Sequence, residues 1–117
     1  MSAPHIDRIV LFKIPPQHID TVIQAYTTMR NTARKSDKPY IIRAFACRLH
    51  TNTPSHGFTV AAQTRFANAE DVMYYNEQCE AHAKLKGIVA PLIDAPSLAD
   101  GMLVVAADGN AESEGVV

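Results

Sequence analysis

Cysteine is scarce in this chain: Cys47 and Cys79 are the only two in 117 residues, enough for one bridge at most. Without a secretory leader they read as reduced thiols, so a disulfide scaffold is excluded and a cytoplasmic location is expected. An excess of charge is also missing. Eleven Lys and Arg face twelve Asp and Glu, a net charge of −1, which lacks the basic surplus that phosphate neutralisation demands; nucleic acid is not an expected partner. Long apolar runs are absent too: Ile9 to Phe12 and Met102 to Ala107 fall far short of the ~20 residues that span a bilayer, so no membrane partner is expected. No GxGxxG, GxxxxGK[ST] or GxSxG occurs, and His5, His18, His50 and His56 show no metal-ligand spacing. Neither a metal nor an organic cofactor is expected.

What remains is 47% hydrophobic and 20% charged, the composition of one globular core, expected as a single domain over residues 1–107 with a polar tail at 108–117. His5 to Ile14 is β-branched and is stopped by Pro15 and Pro16, which cannot donate ladder hydrogen bonds: strand one. Ile19, Val22, Ile23, Tyr26, Met29 and Ala33 recur at three- and four-residue steps, predicting a helix over about 17–36. Tyr40 to Thr51 and Phe58 to Phe66 alternate as strands two and three, joined by the turn residues Asn52 to Gly57. Asn68, followed by Glu70 and Asp71, caps a second helical region running to about Leu92. After a loop bracketed by Pro91 and Pro96, Gly101 to Ala107 reads as strand four.

The order β-α-β-β-α-β predicts an α+β, ferredoxin-like fold, in which two helices cover one face of a four-stranded antiparallel sheet. Val10, Phe12, Ala44, Ala46, Ala62 and Val104 are apolar central positions, and a monomer leaves one set of such positions wet. Two sheets stacked face to face remove that exposure, so a homodimer is expected.

Arg8 to Lys13 (RIVLFK), Gly57 to Asp71 (GFTVAAQTRFANAED) and Tyr74 to His82 (YYNEQCEAH) together resemble the stress-responsive α/β-barrel family of small dimeric ferredoxin-like proteins. The resemblance implies a pocket between sheet and helices and no cofactor. Enzymes of that family include a plant polyketide cyclase that makes olivetolic acid and a hydroxynitrile lyase. It implies His82 as general base with Tyr75 as its partner, and Tyr26 as a pocket tyrosine. The chain departs from the family where a histidine is replaced by Arg8, where a second pocket histidine is replaced by Val60, and where an acidic-proline pair becomes Cys79 and Glu80.

The residues themselves support part of this. On a continuous second helix Val72, Tyr75, Cys79, His82, Leu85 and Val89 share one stripe, mixing a phenol, a thiol and an imidazole into a core-facing side. Partial burial favours a neutral, base-competent His82. The bland alternative is a core histidine bonded to a nearby carbonyl. On that helix Tyr75 and His82 stand about 10.5 Å apart, too far to bond directly unless the helix breaks, so they would bracket a substrate. Tyr75 would then donate to a developing oxyanion; its alternative, like that of Tyr26, is a core aromatic. Arg8 on an apolar strand face must be paired or must hold a carboxylate or enolate. Cys79 is an inert thiol or a nucleophile beside His82, and Phe58 and Val60 are expected to line the pocket.

The expected function is a cofactor-independent cyclase or lyase acting on a poly-β-keto or phenolic intermediate, with a small hydrophobic carbonyl compound as substrate. The alternatives are a non-catalytic stress-response dimer that shelters an apolar ligand, and a cofactor-free monooxygenase.

Overall fold

A computed structural model describes residues 4–50, 52 and 54–109. Strands β1 (Ile6–Phe12), β2 (Ile41–Arg48), β3 (Val60–Phe66) and β4 (Met102–Asp108) form one sheet in the order β2-β3-β1-β4. Every pairing is antiparallel. Helices α1 (Ile19–Thr32), α2 (Ala69–Glu77) and α3 (Glu80–Val89) supply the crossovers, and a short α4 (Leu98–Gly101) leads into β4. This is the expected ferredoxin-like arrangement. No helix among the described residues is long and apolar enough to cross a membrane.

Several boundaries differ from those expected. Pro16–His18 is a 3₁₀ turn, so α1 starts only at Ile19. It ends at Thr32, where Ala33 turns extended (ψ 130°), and Ser36 (φ 51°) and Asp37 (φ 63°) then take left-handed conformations in a tight turn closed by Lys35 and Lys38. Two consecutive positive-φ residues form a hairpin turn, which a helix cannot pass through. Lys35, just before this turn, reaches the Asp71 carboxylate at 2.7 Å. Asp108 pairs with Ile6, so β4 extends one residue into the expected tail, whose residues 110–117 lie outside the described ones. Residues 51 and 53 of the expected strand end and turn also lie outside them.

The alternation in β1 and β3 sorts side chains onto two faces. Val10 pairs with Ala62 and Val104, and Ala62 with Ala46, so the six apolar positions singled out in the sequence share the helix-covered face. Val10, Phe12, Ala44 and Ala62 are buried there, whereas Val104 on the edge strand is 42% exposed. The uncovered set is the alternate one: Ile9, Leu11, Phe45, Ala61, Leu103 and Val105. Beneath the helices Tyr26, Tyr75, Phe66, Met29 and Val22 are fully buried, each worth about 1.5–3 kcal/mol for the larger side chains.

The expected continuous second helix is two helices. The Asn68 side chain accepts from the Asp71 amide at 2.9 Å and starts α2. At the other end the amides of Gln78 and Cys79 both donate to the Tyr74 carbonyl, at 2.8 and 3.0 Å. The second bond reaches back five residues, a π-type turn that ends α2. Cys79 is then extended (ψ 116°), and α3 starts afresh at Glu80. No proline or glycine marks this break.

Candidate active site

Between β1, α1 and α3, and beneath the segment that returns to β4, lies a cavity of about 180 Å³. Val10, Phe12, Leu85, Val89, Ile93 and Met102 make its walls predominantly apolar. It exists because β4 is an edge strand that no long helix covers; residues 90–101 arch over it instead, with Leu98 reaching the cavity. Four polar side chains line it: Arg8, Tyr26, His82 and Lys86. Among the described residues no acidic side chain does.

The helix break positions His82. Folding back at Gln78–Cys79 brings its ring onto that of Tyr75, with centroids 3.7 Å apart and planes inclined by 13°. The expected bracketing of a substrate by these two residues is therefore corrected: they form a stacked pair with no gap between them. His82 Nδ1 lies 2.7 Å from the Tyr75 carbonyl oxygen. A carbonyl only accepts, so Nδ1 carries the proton, and in the neutral ring the lone pair is on Nε2. No described residue bonds Nε2. Burial lowers the pKa of His82 to about 4; the Tyr75 carbonyl opposes this, and the charges of Arg8 and Lys86 add to it. The imidazole is neutral at pH 7, with its basic nitrogen unspent.

Tyr75 is 1% exposed and is packed between His82, Phe66 (centroids 5.1 Å) and the Arg8 guanidinium, 5.4 Å from its ring centre. Its hydroxyl is buried without a hydrogen-bond partner among the described residues, and burial pushes its ionisation far up. Tyr75 does not line the cavity; it backs His82. The phenol that does line the cavity is Tyr26, from α1, whose pKa burial pushes up to about 12 against the opposing charge of Arg8.

Arg8, Tyr26 and His82 are thus brought together at one cavity, with Tyr75 directly behind. Three other expected site residues lie elsewhere. Val60 is fully buried in the sheet core opposite Phe12, and Phe58, just before β3, packs under the Lys13 ammonium, 5.3 Å from its ring centre. Cys79 is buried at the start of α3 and does not line the cavity. Sequence reasoning missed Lys86, which stands four residues beyond His82 and so shares its helix face, a signal the spacing carried. It also missed Ile93 and Leu98, which sit in a segment with no periodicity to expose them. Among the described residues no group of three or more His, Cys, Asp or Glu side chains is arranged to hold a metal ion.

The pattern of the Stress responsive A/B Barrel Domain matches residues 6–108. The chain belongs to that family. A Gibberella zeae relative described as a Fusaristatin A biosynthesis cluster protein is 26% identical over 104 residues, 88% of this chain and 72% of the relative. Among solved structures this barrel-domain chain resembles the hydroxynitrile lyase of Passiflora edulis, with a TM-score of 0.70 and 16% identity over 94% of this chain and 97% of the lyase. It also resembles a dimeric ferredoxin-like protein of unknown function from Jannaschia sp. CCS1, with a TM-score of 0.69 and 15% identity over 88% and 97% of the two chains. At such identities the two structures establish the shared fold.

Proposed function

We propose that this chain is an enzyme of secondary metabolism in which His82 withdraws a proton from a carbonyl-activated carbon of a small apolar substrate, leading to ring closure or to lyase-type bond cleavage. One observation carries the reading: a buried, neutral imidazole, held through Nδ1 on a backbone carbonyl, lines an apolar cavity with its basic nitrogen unengaged. Such a base becomes charged only as negative charge develops on the substrate beside it. Tyr26, on the same cavity and protonated to about pH 12, donates to the carbonyl oxygen as the enolate forms. That is the part the sequence suggested for Tyr75, which here holds the imidazole plane. Both groups that the proton transfer requires are side chains of this chain. The Gibberella relative's biosynthesis cluster and the lyase's fold agree with the reading. The cavity's volume narrows the substrate to about one ring or a short acyl chain, since ~150 Å³ holds a benzene.

Two copies pair, in this reading, through their open sheet faces, where Leu103 and Val105 are each 48% exposed beside Ile9, Leu11 and Phe45. The dimeric Jannaschia neighbour is in keeping with that pairing.

A second reading, a dimer that only shelters an apolar ligand, draws on the weak basicity of the same His82. Exchange of deuterium from solvent into the α-carbon of phenylacetone, followed by NMR, separates the two without the natural substrate. The enzyme accelerates exchange over buffer, and His82→Gln lowers that rate on the order of 10²-fold while the ketone still binds. Binding of the ketone to the unaltered chain with exchange no faster than buffer selects the sheltering role.

A further inference from the structure

Among the described residues Arg8 is a charge without an ion-pair partner. It stands on β1 between Thr64 and Ala106, on the helix side of the sheet, half-buried at the cavity. Its guanidinium lies over the Tyr75 ring, and it has no hydrogen bond or ion pair with any described residue. The neighbouring acid, Asp7, projects from the opposite face and is held by Arg65 at 2.8 and 3.1 Å. Asp71 is engaged by Lys35, and Asp20 by Arg48. A copy stacked on the open face of the sheet would approach from the side Arg8 does not occupy. Removing a guanidinium from water beside apolar walls is costly unless an anion compensates, and no described residue forms an ion pair with it. Lys86 adds a second positive charge at the same cavity from its exposed position on α3.

We propose that the cavity takes an apolar molecule bearing a carboxylate, whose two oxygens the Arg8 guanidinium binds while the hydrocarbon part fills the space toward Val89 and Met102. The planar fork of arginine matches a carboxylate in two parallel hydrogen bonds, and a site bounded by Arg8, Lys86 and a neutral imidazole, with no acid among its described lining residues, selects for that charge. The inference rests on the cavity being a ligand site, and it narrows the substrate class to monocyclic or short-chain carboxylic acids.

Benzoate and benzyl alcohol, nearly equal in size but one anionic and the other neutral, test it by calorimetry at fixed ionic strength, with the His82 ring resonances reporting entry into the cavity. Benzoate is expected to bind the unaltered protein at least about tenfold more tightly than benzyl alcohol. Arg8→Met, which keeps the apolar stem over Tyr75, removes that preference and leaves benzyl alcohol affinity unchanged; Arg8→Lys, a second variant should the first fold poorly, retains only part of it. Benzyl alcohol binding as well as benzoate, or an undiminished benzoate preference in either variant, overturns the carboxylate assignment and leaves the cavity as a ligand site. Failure of both compounds to bind or to move the His82 signals overturns that underlying reading as well.

Discussion

Replacing His82 by Gln should flatten the acid side of the stability curve. In the unfolded chain the imidazole titrates near its ordinary value of ~6.5, whereas in the fold burial holds it at about 4. Between those values the unfolded state binds the proton and the folded state does not, so stability falls as pH drops through the unfolded value and levels off below about 4. Worked through at 1.36 kcal/mol per pKa unit, the loss between about pH 7.5 and about pH 5 is ~2 kcal/mol. The cavity beside the ring admits solvent, which trims this to about 1–2 kcal/mol. With an m-value near ~2 kcal/mol/M, the urea midpoint of the unaltered protein moves down by about 0.5–1 M over that interval. Every other titrating group is common to both proteins, so the difference between their pH curves isolates His82. Both must be measured at one protein concentration, because a dimer's apparent stability depends on it. Parallel pH curves, or a His82 ring that is already protonated in NMR spectra at about pH 5.5, would refute the account of a buried neutral base.

Tyr75→Phe removes a buried hydroxyl that has no hydrogen-bond partner among the described residues, so the unfolding free energy from urea titration should be unchanged or raised by up to ~1 kcal/mol, whereas Tyr75→Ala costs about 3–5 kcal/mol by leaving His82 and Phe66 unsupported. If Tyr75→Phe instead abolishes deuterium exchange into phenylacetone, the donor role returns from Tyr26 to Tyr75. Gly101→Ala drives a methyl group into Ile93 Cγ2 and the Ala95 methyl, displacing the segment over the cavity; about 1–3 kcal/mol should be lost in denaturant titration, and benzyl alcohol affinity with it. Leu103→Lys combined with Val105→Glu places charges on the open sheet face, so sedimentation should report the monomer mass with an unaltered far-ultraviolet spectrum. A dimer that survives both changes pairs through some other surface.

How much of this was legible beforehand follows from the range of the forces involved. The strand alternation from Val60 to Phe66 and the three- and four-residue recurrence from Ile19 to Met29 are local signals, and the structure forms a strand and a helix there. The order of elements, with helices long enough only for crossovers, then leaves few topologies besides the one observed. Period-two alternation also sorted the β1 and β3 side chains into two sets, but it is symmetric: only the docking of α1 and α3 decided that Val10 and Ala62 are covered while Ile9 and Ala61 are not.

The site depended on tertiary structure more heavily. Nothing between Tyr75 and His82 breaks a helix by propensity, yet a π-type turn at Cys79 turns a separation of about 10.5 Å into a ring stack of 3.7 Å. Which phenol meets the cavity was settled by the same fold-back, which puts Tyr75 behind the imidazole and leaves Tyr26 in front. By itself the sequence determined the residue types available for proton transfer and the architecture that gathers them. Their distances and orientations, and the absence of an ion pair to Arg8 among the described residues, were decided by packing between segments far apart in the chain, where no local periodicity records the outcome.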